Sequence, residues 1–180
     1  MAIEAGGRFR MWMVATALAA LMLIFSAADP GVASAGCKKA DAQSDQISKK
    51  RARSAVKCLI NKERNASNLK SNGQLKDAAQ GHTGYMRSHN CFSHQRSGEA
   101  SLESRIRRTG YLNGVNGYGF GEVIALNSDN ASPRDIVRQW MNSPPHRALI
   151  TSGQFEHVGV GVSAKNGRAY YTAVLGARSG

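Results

Sequence analysis

An almost unbroken apolar run, MWMVATALAALMLIF from Met11 to Phe25, stands near the start of the chain, and no second run of that length follows. Downstream the apolar positions become periodic. From about Gln46 to Arg64, Ile47, Ala55, Val56, Cys58 and Leu59 share one helical face. A polar, turn-rich stretch, 61–73, separates this helix from a second over about Gln74 to Ser88, where Leu75, Ala78, Ala79, His82 and Met86 follow the 3.6-residue period. Gly81 and Gly84 weaken that helix by propensity. Residues 90–101 read as a loop, and about Leu102 to Thr109 as a short helix stopped by Gly110. Phe120 to Leu126 reads as a strand. Ser132, Pro133 and Asp135 form a capping-box-like start to another helix, which ends before Pro144-Pro145. His157 to Ser163 alternates apolar residues with glycine, Asn166-Gly167 is a two-residue hairpin turn, and Ala169 to Leu175 returns. Helices around an antiparallel hairpin predict an α+β domain layered α-β-α. No internal repeat is present.

The apolar run follows Arg8 and Arg10 and precedes Ala33-Ser34-Ala35, the small residues a signal peptidase reads. Residues 1–35 are therefore expected to be a signal peptide cleaved before Gly36. At about 15 residues the run is short of the roughly 20 that a bilayer span needs. An uncleaved anchor, and a lipid-modified Cys37 with Ser34 where such sites carry Leu, are the rival readings. The mature chain is expected to be exported and without a transmembrane anchor. It divides into a polar extension, 36–54, and a domain, 55–180, and is expected to be a monomer.

Charge adds a partner class. The chain has 24 Lys+Arg against 12 Asp+Glu, a formal +12. Removal of residues 1–35 takes two cations and two anions and leaves that balance unchanged. Such a field favours anionic envelope polymers or lipid headgroups. The basic runs 49–53 and Arg105-Ile106-Arg107-Arg108 carry no interleaved aromatics, so no nucleic acid is expected, and they read as solvated surface. Three cysteines, Cys37, Cys58 and Cys91, enter an oxidising compartment. A Cys37–Cys58 bridge would pin the polar arm. Cys58–Cys91 is the alternative.

Of the five histidines, His82 lies on an apolar helix face and reads as a core residue bonded through one nitrogen. His89 and His157 fall at element ends. His94 closes a Phe92-Ser93-His94 turn that buries Phe92 and leaves the imidazole at a rim. His146 follows a double proline that fixes its backbone.

The ordered strings Phe92-Ser93-His94, Gly121-Glu122, Trp140-Met141-Asn142-Ser143-Pro144-Pro145-His146-Arg147 and Val158-Gly159-Val160-Gly161-Val162 resemble the CAP superfamily of cysteine-rich secretory, antigen-five and pathogenesis-related proteins, in its bacterial SCP-like, YkwD-like branch. The resemblance covers about residues 55–176. It implies a three-layer α-β-α sandwich with a central antiparallel sheet and a large cleft. It also favours the Cys37–Cys58 bridge, through an N-terminal arm like that of actinobacterial relatives. The family cleft carries two histidines and two acidic residues, in some members with zinc. His94, Glu122 and His146 match three of them. The second acidic position is Ser143 here, and Val123 replaces the asparagine after the glutamate. Glu99 or Glu103 could supply the missing carboxylate.

Three chemistries follow. His94, His146 and Glu122 could form an open Zn2+ site with water in the fourth position, suited to hydrolysis. Glu122 could orient either imidazole as a general base without metal. The set could also be a polar network that holds the cleft. Family members share no single reaction, and loss of the acid at Ser143 tilts the expectation from enzyme to binding. The leading expectation is a secreted binding or interaction module acting at the cell envelope or outside the cell. A divalent-metal hydrolase in the same cleft is the alternative.

Overall fold

The computed structural model describes residues 36–128 and 130–180, so the signal peptide and its cleavage point lie outside the described residues. Nine elements follow in order: α1 (Lys49–Glu63), β1 (Lys70–Ser71), α2 (Gly73–Ser88), α3 (Leu102–Arg108), β2 (Gly117–Asn127), α4 (Pro133–Met141), α5 (Pro144–Thr151), β3 (His157–Lys165) and β4 (Arg168–Ser179). The strands form one sheet ordered β1-β3-β4-β2. β4 pairs antiparallel with both β3 and β2, and β1 adds a parallel edge to β3.

Strand parity assigns the layers. Val123, Ala125, Tyr171, Ala173 and Leu175 face one side and pack with Val56, Leu59, Ile60, Ile136 and Trp140 of α1 and α4. Ile124, Tyr170 and Val174 face the other side, against Met86, Leu75 and Ile106 of α2 and α3. The sheet is therefore covered on both faces, as the α-β-α reading expects. Glu122 shares the parity of Ile124 and is buried at 6% exposure on the α2/α3 face.

Two expectations shift in detail, and one boundary can be set against the helices. β1 lies in the stretch read as turn. Its two side chains are exposed and carry no apolar alternation to signal a strand. The double proline not only stops α4 but also occupies the first turn of α5, where a missing amide costs nothing. The line between extension and domain at 54/55 falls inside α1, whose buried Ala52, Ala55 and Val56 span it.

The arm before α1 is strapped down at several points. Cys37 is bonded to Cys58. Arg134 donates its amide to Ala40 O and pairs with Asp41. The Ser44 hydroxyl meets Ala131 O and the buried Tyr171 hydroxyl. Burial pushes the Tyr171 phenol up to about 12, opposed by its bond to Ser44. Arg64, which caps α1, is buried as well. Its guanidinium donates to Ser67 O (3.2 Å), Ile150 O (2.6 Å), Ser152 O (2.9 Å) and Phe155 O (3.3 Å), fixing the segment between α5 and β3. No helix among the described residues is long and apolar enough to cross a membrane.

The glycines of β3 set the height of α2. A Cβ at Gly159 would land on the Leu75 carbonyl carbon and the Lys76 amide nitrogen. One at Gly161 would meet the Ala79 carbonyl and the Thr83 hydroxyl. At both positions the obstacle includes backbone, which cannot swing away. We expect Gly159→Ala and Gly161→Ala each to cost about 3 kcal/mol or more in urea unfolding. Gly119→Ala on β2, where nothing lies within 4 Å, should stay within about 0.5 kcal/mol of the parent. Equal, small effects at all three positions would refute the close-approach account.

Candidate functional site: a buried ion cluster under two imidazoles

Four elements contribute to one polar cluster. The turn Phe92-Ser93-His94 is held by Ser93, whose hydroxyl donates to Gln95 O at 2.8 Å and accepts from Gln95 N at 3.3 Å. This local bonding turns Phe92 outward to 48% exposure, contrary to the expected burial. His94 is exposed on the same turn, and its Nδ1 lies 3.0 Å from Glu122 Oε1. Glu122 faces a cation, so it acts as acceptor and His94 donates from Nδ1, which leaves Nε2 at the surface.

That cation is Arg105 of α3. Its Nη2 donates to Glu122 Oε1 at 3.3 Å, lies 3.2 Å from Oε2, and also donates to the His94 carbonyl at 3.1 Å. Arg105 Nη1 lies 3.7 Å from Glu99 Oε1. Glu99 in turn bonds His82 Nδ1 at 2.6 Å, and His82 Nε2 stands 3.8 Å from Glu122 Oε1. Two carboxylates, one guanidinium and one imidazole are thus buried together, with His94 as their outer member. A buried charge is tolerated only when paired, and here each is in reach of an opposite or a dipole.

The basic run 105–108 is therefore not uniformly solvated surface. Arg105 turns inward, while Arg107 pairs on the outside with Glu103 and Tyr118. This arrangement makes Glu99 the second acidic member and leaves Glu103 outside. Ile106, the fully buried residue beside Arg105, marks which side of a seven-residue helix faces the sheet. His82 is bonded through one nitrogen, as read, but its other nitrogen faces the cluster rather than inert core.

His146 enters from the opposite layer. It sits in the first turn of α5, which packs on β2 around Gly121 and Leu149, and its ring centroid is 6.2 Å from that of His94. Partial burial, and then the neighbouring His94, hold the His146 imidazole below its usual value. Ser143 is the N-cap of α5 without a side-chain cap bond. Among the described residues no hydrogen bond or ion pair joins its side chain to the cluster. Trp140 is fully buried, and its indole donates to Ile124 O at 2.9 Å, two residues from Glu122. Cys91 is a free, half-buried thiol beside Met86, Ile124 and Tyr170. A cavity of about 420 Å³ opens on the inner half of the cluster, against His82, Glu99 and Arg105, with Tyr85 and Arg108 at its walls.

The expected zinc set does not fit an ion as it stands. Glu122 is engaged by Arg105 and by His94 Nδ1, so it orients an imidazole rather than offering a free ligand. Two imidazoles remain, one short of the three protein ligands of a catalytic zinc. No group of three or more His, Cys, Asp or Glu side chains among the described residues is placed to hold a metal.

Residues 45–175 match the cysteine-rich secretory protein family, CAP. The uncharacterized membrane protein YlbC of Bacillus subtilis (strain 168) is 34% identical over 96 residues, which is 53% of this chain but only 25% of that protein. An extracellular SCP-domain protein of Bacillus anthracis str. Ames superposes with a TM-score of 0.58 at 26% identity, over 72% of this chain and 43% of the other. An outer surface protein of Borrelia burgdorferi shares the fold with a TM-score of 0.64 at 18% identity, over 74% of this chain and 97% of the other.

Two outcomes test the cluster. Arg105→Leu strands Glu122 and Glu99 without a cation and should lower the unfolding free energy at neutral pH by about 3–5 kcal/mol, read by chemical denaturation. A loss below about 1 kcal/mol would mean that the carboxylates do not depend on Arg105. By NMR titration, His146 should protonate below the ordinary imidazole range, and His94→Gln should move its midpoint upward. The folded chain then binds fewer protons than the unfolded one near that pH. His146 is neutral above it and makes no demand there, and it subtracts stability as pH falls through the unfolded value toward the folded one. A midpoint unmoved in His94→Gln would remove the coupling.

Proposed function

The chain belongs to the cysteine-rich secretory protein family, and on that footing we propose that it is an exported binding module, acting at the cell envelope or outside the cell through the rim formed by His94 and His146. The carrying observation is the engagement of Glu122. Its carboxylate is paired with Arg105 at both oxygens, and Oε1 takes hydrogen bonds from Arg105 and His94. It is therefore poorly placed to serve as a metal ligand or a free base. The exposed His94 ring, the partly buried His146 ring 6.2 Å from it between centroids, and exposed Phe92 on the His94 turn would make a surface that hydrogen-bonds a ligand and covers apolar area. A preorganised imidazole loses little freedom on binding. Export is supported by the early apolar run and by the B. anthracis relative, which is itself an extracellular protein.

Sedimentation with isolated bacterial cell envelopes tests this reading. His94→Ala/His146→Ala should weaken association by about tenfold or more, in line with loss of central contacts, while the thermal midpoint stays near that of the parent. Association unchanged in a folded double variant would sink it. Calorimetry with zinc is the second arm, and no stoichiometric heat should depend on the two histidines. One-to-one binding lost in the double variant would instead favour the metal-dependent hydrolase.

A further inference from the structure

Away from Glu122, at the β1–β3 end of the sheet, a cavity of about 210 Å³ lies between α1 and α2. Its α1 wall is Lys50, Arg53, Ser54 and Lys57, a single helical stripe, and Lys76 of α2 closes it from the other side. No acidic residue lines it. Among the described residues neither Lys50 nor Lys57 meets a carboxylate within ion-pair distance, while Lys76 pairs with Asp77 at 2.8 Å. Arg53 is held in place by a 2.6 Å bond to Gln80 Oε1, which also accepts from the Val162 amide of β3. Its Nε is buried without a hydrogen-bond partner.

The N-terminus of α2 opens into the same space. Asn72 caps it, taking the Leu75 amide on its side chain and the Lys76 amide on its carbonyl. The Gly73 amide has no intrahelical partner. Gly73 lines the cavity, and a Cβ placed there would meet nothing within 4 Å. The 16-residue helix directs its positive end to this point.

Folding stability does not account for this set. α1 has no acid in its first turn and carries Lys49, Lys50 and Arg51 there, cations at the end of a helix where the dipole disfavours them. Arg53 and Lys57 extend the same charge. Four cations lining a small concavity, together with the first residue of α2, suit one compact anion. Phosphate matches in size, charge and acceptor geometry.

We propose that this groove is a second binding site, for a phosphate group, independent of the His94–His146 rim. The group can arrive as free phosphate, as a lipid headgroup or within a phosphodiester polymer. All three present a tetrahedral phosphorus with anionic oxygens, carrying more charge and more free oxygens in inorganic phosphate than in a phosphodiester.

The protein is titrated calorimetrically with inorganic phosphate at low salt. One-to-one binding is expected. It should weaken about tenfold or more in Lys50→Glu/Lys57→Glu and in Gly73→Glu, and fall as salt rises. Gly73→Glu is the decisive variant, because it adds an acid to open space at a helix N-terminus, where it favours the fold. His94→Ala/His146→Ala should bind phosphate like the parent, so failure of the rim reading and failure of this one are distinguishable. Binding to phosphatidylglycerol vesicles, or to soluble poly(glycerol phosphate), that inorganic phosphate displaces would support the site and identify the source. No phosphate binding by the folded parent, or binding that Gly73→Glu leaves unchanged, would overturn the proposal. Vesicle or polymer binding that phosphate does not displace would also overturn it, in favour of diffuse surface charge.

Discussion

The contact of α2 with β3 through Gly159 and Gly161 is the constraint on which the remainder depends. At those two positions helix backbone rests on strand backbone, with the Thr83 hydroxyl also against Gly161. The Thr83 hydroxyl then reaches Thr172 of β4 at 2.9 Å and locks the helix in register. His82 lies one residue before Thr83, so this seating decides how deep its imidazole goes. It also fixes where α2 begins, and hence where Asn72, Gly73 and Lys76 meet α1. One close approach thus positions both the buried cluster and the basic groove.

The cluster shows how a chain with a large cationic excess can bury acids. Desolvation would make Glu99 and Glu122 expensive alone. Arg105 spans them, and His82 and His94 each bond one oxygen, of Glu99 and Glu122 respectively. The arrangement is not fully hydrogen-bonded. His82 Nε2, Arg105 Nε and Nη1, and Glu122 Oε2 are buried without partners that meet hydrogen-bond geometry. Three of these four still lie within 4 Å of an opposite charge or titratable partner.

The cations of this chain stand in three different settings. Arg105 neutralises buried acid. Arg64 crosslinks carbonyls of a loop that would otherwise be left unsatisfied, at the cost of its own desolvation, which holds its guanidinium below the usual value. Lys50 and Lys57 of α1 line the groove and meet no carboxylate within ion-pair distance among the described residues. Net charge alone could not have separated these roles, because each depends on what the side chain faces and not on its sign.

Much of the fold is written locally. The 3.6-residue spacing of Leu75, Ala78, Ala79, His82 and Met86, the capping box at Ser132, and the Asn166-Gly167 turn each act through bonds within a few residues, so sequence by itself determined α1 to α4, the hairpin and the layered class, and α5 was not among them. The resemblance carried by Phe92-Ser93-His94 and the 140–147 string singles out His94, Glu122 and His146, which the fold places beside one another. Tertiary structure decided the rest. Arg105 looked like one of three equivalent arginines, because its burial depends on the sheet across from α3. Glu99 and Glu103 were indistinguishable four residues apart, until the loop path gave one to His82 and the other to Arg107. β1 carried no pattern, since two exposed residues pair through backbone alone. The groove beside Gly73 was invisible because its walls come from helices that only the folded sheet edge brings face to face. Local hydrogen bonds and periodicity are properties of a segment, whereas burial and charge pairing are properties of the assembled interior.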